Sequence, residues 1–144
     1  MEEEQDHIGV IEHEVAILIR RAMAFSALYK KLGAVDRPAY LLLRQIKEAG
    51  VIGIKELADE FHLDRSTISR QAAALESRGL IQRVPDRIDG RLSLFVITEL
   101  GLRMLNETKQ IRHRRYSKLL QDWSDEDLEK FGKFLGLLNR TFID

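Results

Sequence analysis

A chain of 144 residues with no cysteine can form one self-sufficient domain, but it has no disulfide, thiolate metal site or thiol sensor. No apolar run nears the roughly 20 residues that span a bilayer, and the acidic start MEEEQD is unlike a secretory signal, so a cytoplasmic protein with no membrane partner is expected. The balance of 23 basic and 23 acidic side chains argues at first against gripping a polyanion, yet the charge is segregated. Residues 1–14 hold six acids and no Lys or Arg, six arginines lie between Arg65 and Arg91, and KQIRHRRYSK occupies 109–118.

In chain order, Ile11, Val15, Leu18, Ala22 and Phe25 recur at spacings of three and four, predicting one helix over 8–32. Ile17, Ile19 and Leu28 widen its apolar stripe beyond the needs of one core, which suggests a second subunit as a further partner. Asp36 then reads as an N-cap, with Pro38 in the first turn of a helix to about Ala49. Gly50 and Gly53 bracket a link to the short helix pattern IKELADEF.

The link HLDRS leads into DRSTISRQAAALESRG. Asp64 is its N-cap, Leu63 and Ile68 have hydrophobic-staple spacing, and Gly79 stops it. Ile68, Ala72 and Leu75 share the inner face. The outer face carries Ser66, Ser69, Arg70, Ala73 and Ser77, flanked by Thr67 and Ala74. Small polar residues there let a helix backbone approach a groove closely, with one arginine projecting. Leu80–Val84 and Leu92–Ile97 read as strands, and because Leu92, Leu94 and Val96 alternate with Ser93 and Phe95, one face should cover the helices. Their connection, Pro85–Arg91, is too long and charged for a tight hairpin and reads as a wing displaying Arg87 and Arg91.

Thr98 caps a helix to about Gln121, and Ser124 caps the last, with Trp123 and Leu128 in staple register. Phe131, Phe134, Leu135, Leu138 and Phe142 give that last helix a broad apolar face, and Gly132 and Gly136 suggest a close helix crossing. The fold class is therefore mainly α, a winged helix-turn-helix at 36–98 within a single domain of residues 1–144. The long helices at 8–32 and 99–144 would mainly pair two copies.

This layout closely resembles the MarR family of bacterial transcription regulators, most specifically in ELADEFHLDRSTISRQAAALESRGLIQRVPDRIDGRLSLFVITELG. The resemblance implies a homodimer clasped by its terminal helices, one reading head per subunit, acting on double-stranded DNA. It places Ser66, Thr67, Ser69 and Arg70 toward a major groove, with Arg65 and the serines suited to phosphates and Arg70 to a base edge or a phosphate. It also implies that Asp89 orients Arg91, which reaches a minor groove. Gly90 departs from the family pattern, standing where a second basic residue is common. A pseudo-palindromic operator and release by a small-molecule effector follow as expectations, with Tyr40 and His13 as candidate pocket residues. The plainer readings are core packing for Tyr40 and surface placement for His13.

No enzyme is expected. His62, Asp64 and Ser66 lie within five consecutive residues across a helix start, a poor geometry for a catalytic triad. His7, His13, His62 and His113 show no metal-ligand spacing, and neither a structural metal nor a cofactor is expected. The second function class is a winged protein-interaction module that has given up DNA. Neutral charge and Gly90 favour it; the arginine pair Arg87 and Arg91 and the small polar helix face oppose it.

Overall fold

A computed structural model describes residues 5–142; Glu2, Glu3 and Glu4 of the acidic start, and the last two residues of the expected domain, lie outside the described residues. α1 (His7–Ala24) begins where the Asp6 carboxylate accepts the Gly9 amide at 2.8 Å. The single helix expected over 8–32 is in fact two, because the chain breaks at Phe25 before α2 (Ser26–Lys31). Ser26 Oγ donates to the Met23 carbonyl at 3.0 Å, a side-chain back-bond of the kind that bends helices. The Arg115 guanidinium lies 4.2 Å over the Phe25 ring at the break. A break of one residue leaves the spacing of three and four nearly intact, so the apolar pattern does not register it.

α3 (Arg37–Ala49) is capped as expected, Asp36 accepting from the Ala39 amide at 3.0 Å. It buries Ala39, Tyr40, Leu42, Leu43 and Ile46. The expected link after Gly50 contains a two-residue strand, β1 (Ile52–Gly53), which leads directly into α4 (Ile54–Phe61). α4 stops at His62, whose φ of 51° is a left-handed conformation that histidine tolerates better than most side chains. α5 (Arg65–Ser77) follows, with Ile68, Ala72 and Leu75 buried on the predicted inner face.

β2 (Ile81–Pro85) and β3 (Ser93–Ile97) form an antiparallel sheet with β1 in the order β1-β3-β2. The face of β3 that enters the core is that of Phe95, the fully buried residue of the strand, while Leu92 is exposed. Two features explain this. Leu92 belongs to the wing turn, its amide bonded to the Asp89 carbonyl at 3.0 Å. Phe95 sits in register between Ile52 and Arg83 on a strand paired along both edges, so the largest apolar side chain of the strand takes the core.

α6 (Glu99–Leu119) begins in this core, burying Gly101, Leu105 and Thr108. Thr108 is the one buried polar side chain among the described residues, and its Oγ1 accepts the buried Val35 amide at 3.1 Å. That bond ties the link between α2 and α3 to α6 and satisfies a donor that would otherwise be costly to bury. The second half of α6 leaves the core, and α7 (Asp125–Thr141) has no buried residue at all. Trp123 packs on Phe131 of α7 with ring centroids 5.1 Å apart. A Cβ added at Gly132 would meet nothing within 4 Å and one at Gly136 only the Arg140 side chain, so among the described residues no helix crosses closely there. No helix among the described residues is long and apolar enough to cross a membrane.

Candidate nucleic-acid interface

The site is assembled from α5 and the loop between β2 and β3. Three sets of local bonds shape these pieces, one of them joining α5 to the strand that leads into the wing. Arg83 on β2 donates from Nε to both carboxylate oxygens of Glu76 on α5, at 3.1 and 3.0 Å, while its guanidinium lies 5.1 Å over the Phe95 ring. Thr98 joins the end of α5 to the start of α6. Its Oγ1 donates to the Gly79 carbonyl at 2.6 Å and accepts from the Gly101 amide at 3.0 Å, and its own amide donates to the Leu80 carbonyl at 3.1 Å. The wing is closed by the Asp86 amide donating to the Leu92 carbonyl at 3.0 Å. The strand at the base of the wing is therefore tied to α5.

On α5, Arg65, Ser66 and Arg70 are exposed, whereas Thr67 and Ser69 are half-buried. Ser66 and Thr67 both donate their hydroxyl protons to the Asp64 carboxylate, which holds the Asp64 pKa below its ordinary value, the Ser66 bond having the larger effect. Asp64 is thus the N-cap residue expected, but its carboxylate is engaged by hydroxyls rather than by a backbone amide. These two hydroxyls remain open as acceptors; as donors to a phosphate they must first leave Asp64. Arg70 reaches back only weakly, Nη2 to Thr67 Oγ1 at 3.4 Å, and projects outward.

In the wing, Asp89 accepts from the Arg91 amide and Arg91 Nε, both at 3.1 Å, and the Arg91 side chain is otherwise exposed. The aspartate and arginine that the family resemblance singled out are thus one hydrogen-bonded unit. Arg87 is exposed nearby, and neither it nor Arg65, Arg70 nor Arg78 has an ion-pair partner among the described residues. Of the six arginines between 65 and 91, Arg83 and Arg91 are committed to carboxylates and four are open to a polyanion. Sequence reasoning missed the Arg83–Glu76 bridge, since a pair seven apart across a helix end and a strand has no periodic signature.

The Arg91 bonds, first from its side chain and then from its amide, lower the Asp89 pKa below the usual 3.8. A depressed carboxylate contributes its contact above the ordinary carboxylate range and loses it as pH falls through the lowered value. The Arg91 amide and the Asp89 carboxyl should therefore titrate together by NMR, with a common midpoint below 3.8. Asp89→Asn should abolish the Arg91 response. A midpoint at or above the ordinary value, or an unchanged response in Asp89→Asn, would count against the pairing.

The remaining candidates lie elsewhere. Tyr40 lines a cavity of about 660 Å³ between α3 and α6, together with Arg44, Lys109, Arg112, His113 and Tyr116. Arg112 is held between two rings, 4.9 Å from Tyr29 and 4.8 Å from Tyr40, and Arg44 donates to the Tyr40 hydroxyl at 2.9 Å. His13 is exposed on α1 and is not part of this cavity. His62 ends α4 on the surface, and the described residues hold no cluster of three groups able to ligate a metal.

Comparison with known proteins agrees with this geometry. The sequence pattern described as the MarR family matches residues 35–93, from just before α3 to the first residue of β3. The chain is 47% identical over 140 residues to the uncharacterised HTH-type transcriptional regulator YxaD of Bacillus subtilis (strain 168), covering 97% of this chain and 98% of that one. Its fold matches that of Streptococcus pneumoniae FabT, solved in complex with DNA, with a TM-score of 0.74, 18% identity, and coverage of 95% and 97% of the two chains. It also matches the PcaV transcriptional regulator of Streptomyces coelicolor, solved with its natural ligand, with a TM-score of 0.71, 23% identity, and coverage of 97% and 98%. This chain therefore belongs to the MarR family and is a transcriptional regulator with a DNA-binding winged-helix fold, not an enzyme.

Proposed function

We propose that the protein acts as a homodimeric repressor on a pseudo-palindromic operator and is released by a small-molecule effector. The observation that carries the DNA part is the head itself: Arg65, Arg70, Arg78 and Arg87 have no ion-pair partner among the described residues, and Arg83 ties the strand that leads into the wing to α5. Arg65, Ser69 and Arg70 would meet a major groove, with Ser66 and Thr67 joining once released from Asp64. Arg91, aimed by Asp89, would enter the flanking minor groove beside Arg87. That the similarly folded FabT was solved with DNA supports this use of the head.

Pairing of two copies is supported by the apolar faces of α1 and α7. They border an open groove of about 570 Å³ lined by Ile11, Leu18, Phe131 and Phe134 among others. A patch of this kind marks an interface in a soluble protein. Two heads so joined would enter successive major grooves about one helical turn apart. Effector control is supported by the cavity between α3 and α6, whose walls combine Tyr40 and Tyr116 with Arg44, Lys109 and Arg112 and contain no carboxylate, a lining suited to a small anion. The similarly folded PcaV was solved with a natural ligand. An effector would act by favouring one separation of the heads over another.

The test is fluorescence anisotropy on DNA from upstream of the protein's own gene, with an unrelated duplex as control, across a salt series. Wild type should bind selectively and lose affinity steeply with salt, and Arg91→Ala should bind about tenfold or more weakly with a shallower salt slope. Weak binding indifferent to sequence, salt and Arg91 would sink this reading in favour of a protein partner for the winged surface.

A further inference from the structure

Ile88 is the most exposed large apolar residue described, at 98%, and it stands on the wing tip between Arg87 and Asp89. Its backbone is fixed. Asp86 accepts the Ile88 amide at 2.8 Å and the Asp89 amide at 3.4 Å, while Asp89 accepts the Arg91 amide at 3.1 Å. The tip thus presents one branched hydrocarbon side chain on a hydrogen-bonded turn, with Arg87 before it and Arg91 three residues on in sequence, and no described residue covers it. Resting on the reading of the wing as a minor-groove probe, we propose that Ile88 is a specificity determinant that selects A·T over G·C pairs where the wing enters the minor groove.

The chemistry follows from the groove floor. A·T and T·A pairs present only the N3 and O2 acceptors there, whereas G·C adds the exocyclic amino group of guanine as a protruding donor. The sec-butyl side chain of isoleucine has no acceptor to offer. Pressed on an A·T floor it displaces water and packs on the sugar walls; over G·C it covers the amino group and leaves that donor without a partner. Arg91 and Arg87 draw the wing to a narrow, negative groove but accept no hydrogen bond either, so Ile88 sharpens a preference that their charge alone would make shallow. Its complete exposure also means that replacing it touches no packing in the free protein.

The experiment takes the upstream DNA bound by the wild type, locates the minor-groove steps shielded by the wing with hydroxyl-radical footprinting, and replaces those pairs in three duplexes with A·T, G·C or inosine·C. Inosine lacks only the guanine amino group. Wild type should bind the G·C duplex about tenfold more weakly than the A·T duplex and recover most of that loss on inosine·C. Ile88→Ser, which supplies an acceptor, should bring A·T and G·C to within about twofold while keeping the steep salt dependence. An undiminished G·C penalty in Ile88→Ser, or a penalty that persists on inosine·C, would overturn the proposal while leaving the regulator reading in place. Failure to bind any duplex overturns both.

Discussion

Gly101→Ala is expected to lower the melting temperature by roughly 10 °C or to prevent folding outright, whereas Gly90→Ala should leave it nearly unchanged. A methyl group at Gly101 would stand 2.1 Å from the Leu80 carbonyl oxygen and 2.7 Å from Ile97 Cγ1. The first neighbour is backbone and cannot swing aside. It is moreover the oxygen that accepts the Thr98 amide at 3.1 Å, next to the Gly79 carbonyl that accepts the Thr98 hydroxyl at 2.6 Å. Relief therefore requires α6 to lift from the end of α5, loosening both bonds and the packing of Leu105. Overpacking of this sort costs about 3 kcal/mol or more, a large part of the 5–15 kcal/mol typical of a whole domain. At Gly90 an added Cβ meets nothing within 4 Å, which makes it the matched control on the same winged unit. Differential scanning fluorimetry decides the matter, and a Gly101→Ala protein as stable as wild type would show that α6 and α5 are not in the close contact described.

Much of the architecture was legible because it is written in local rules. Asp36, Thr98 and Ser124 accept the N3 amides their positions demand, and Ile68, Ala72 and Leu75 take the inner face that their spacing required. The wing pair was legible only through the family resemblance, although the bond itself joins residues just two apart. What escaped depends on partners distant in sequence. The burial of Phe95 follows from pairing with β1, a strand too short to have any alternation of its own. Thr108 looks like an ordinary polar position on a charged helix until the amide of Val35, 73 residues earlier, is placed against it. The cationic cavity shares this property: Arg44 and Arg112 lie on different helices, and only Tyr40 between them was picked out. The break at Phe25 escaped because one bent turn barely disturbs an apolar repeat.

Phe134→Glu carries the second large effect, this time on function with the fold of each chain intact. The Phe134 side chain is 66% exposed and lies on α7, which has no buried residue, so the substitution removes no packing from the core around Phe95 and Leu105. Helix content and melting of the single chain should be preserved. In a two-fold pair, however, each substitution is present twice, and a carboxylate forced into the apolar seam between α1 and α7 has no cation on the groove lining to receive it. Light scattering should therefore report a particle of half the wild-type mass. Because a second linked head raises the affinity of the first by about a hundredfold or more through effective concentration alone, the same variant should lose about that factor on a two-half-site duplex. On a single half-site it should bind like wild type, since every arginine of the head is still in place. A variant that stays paired, or one that becomes monomeric without losing affinity on the full site, would separate the α1 and α7 seam from DNA binding and move the search for the dimer axis to the basic second half of α6.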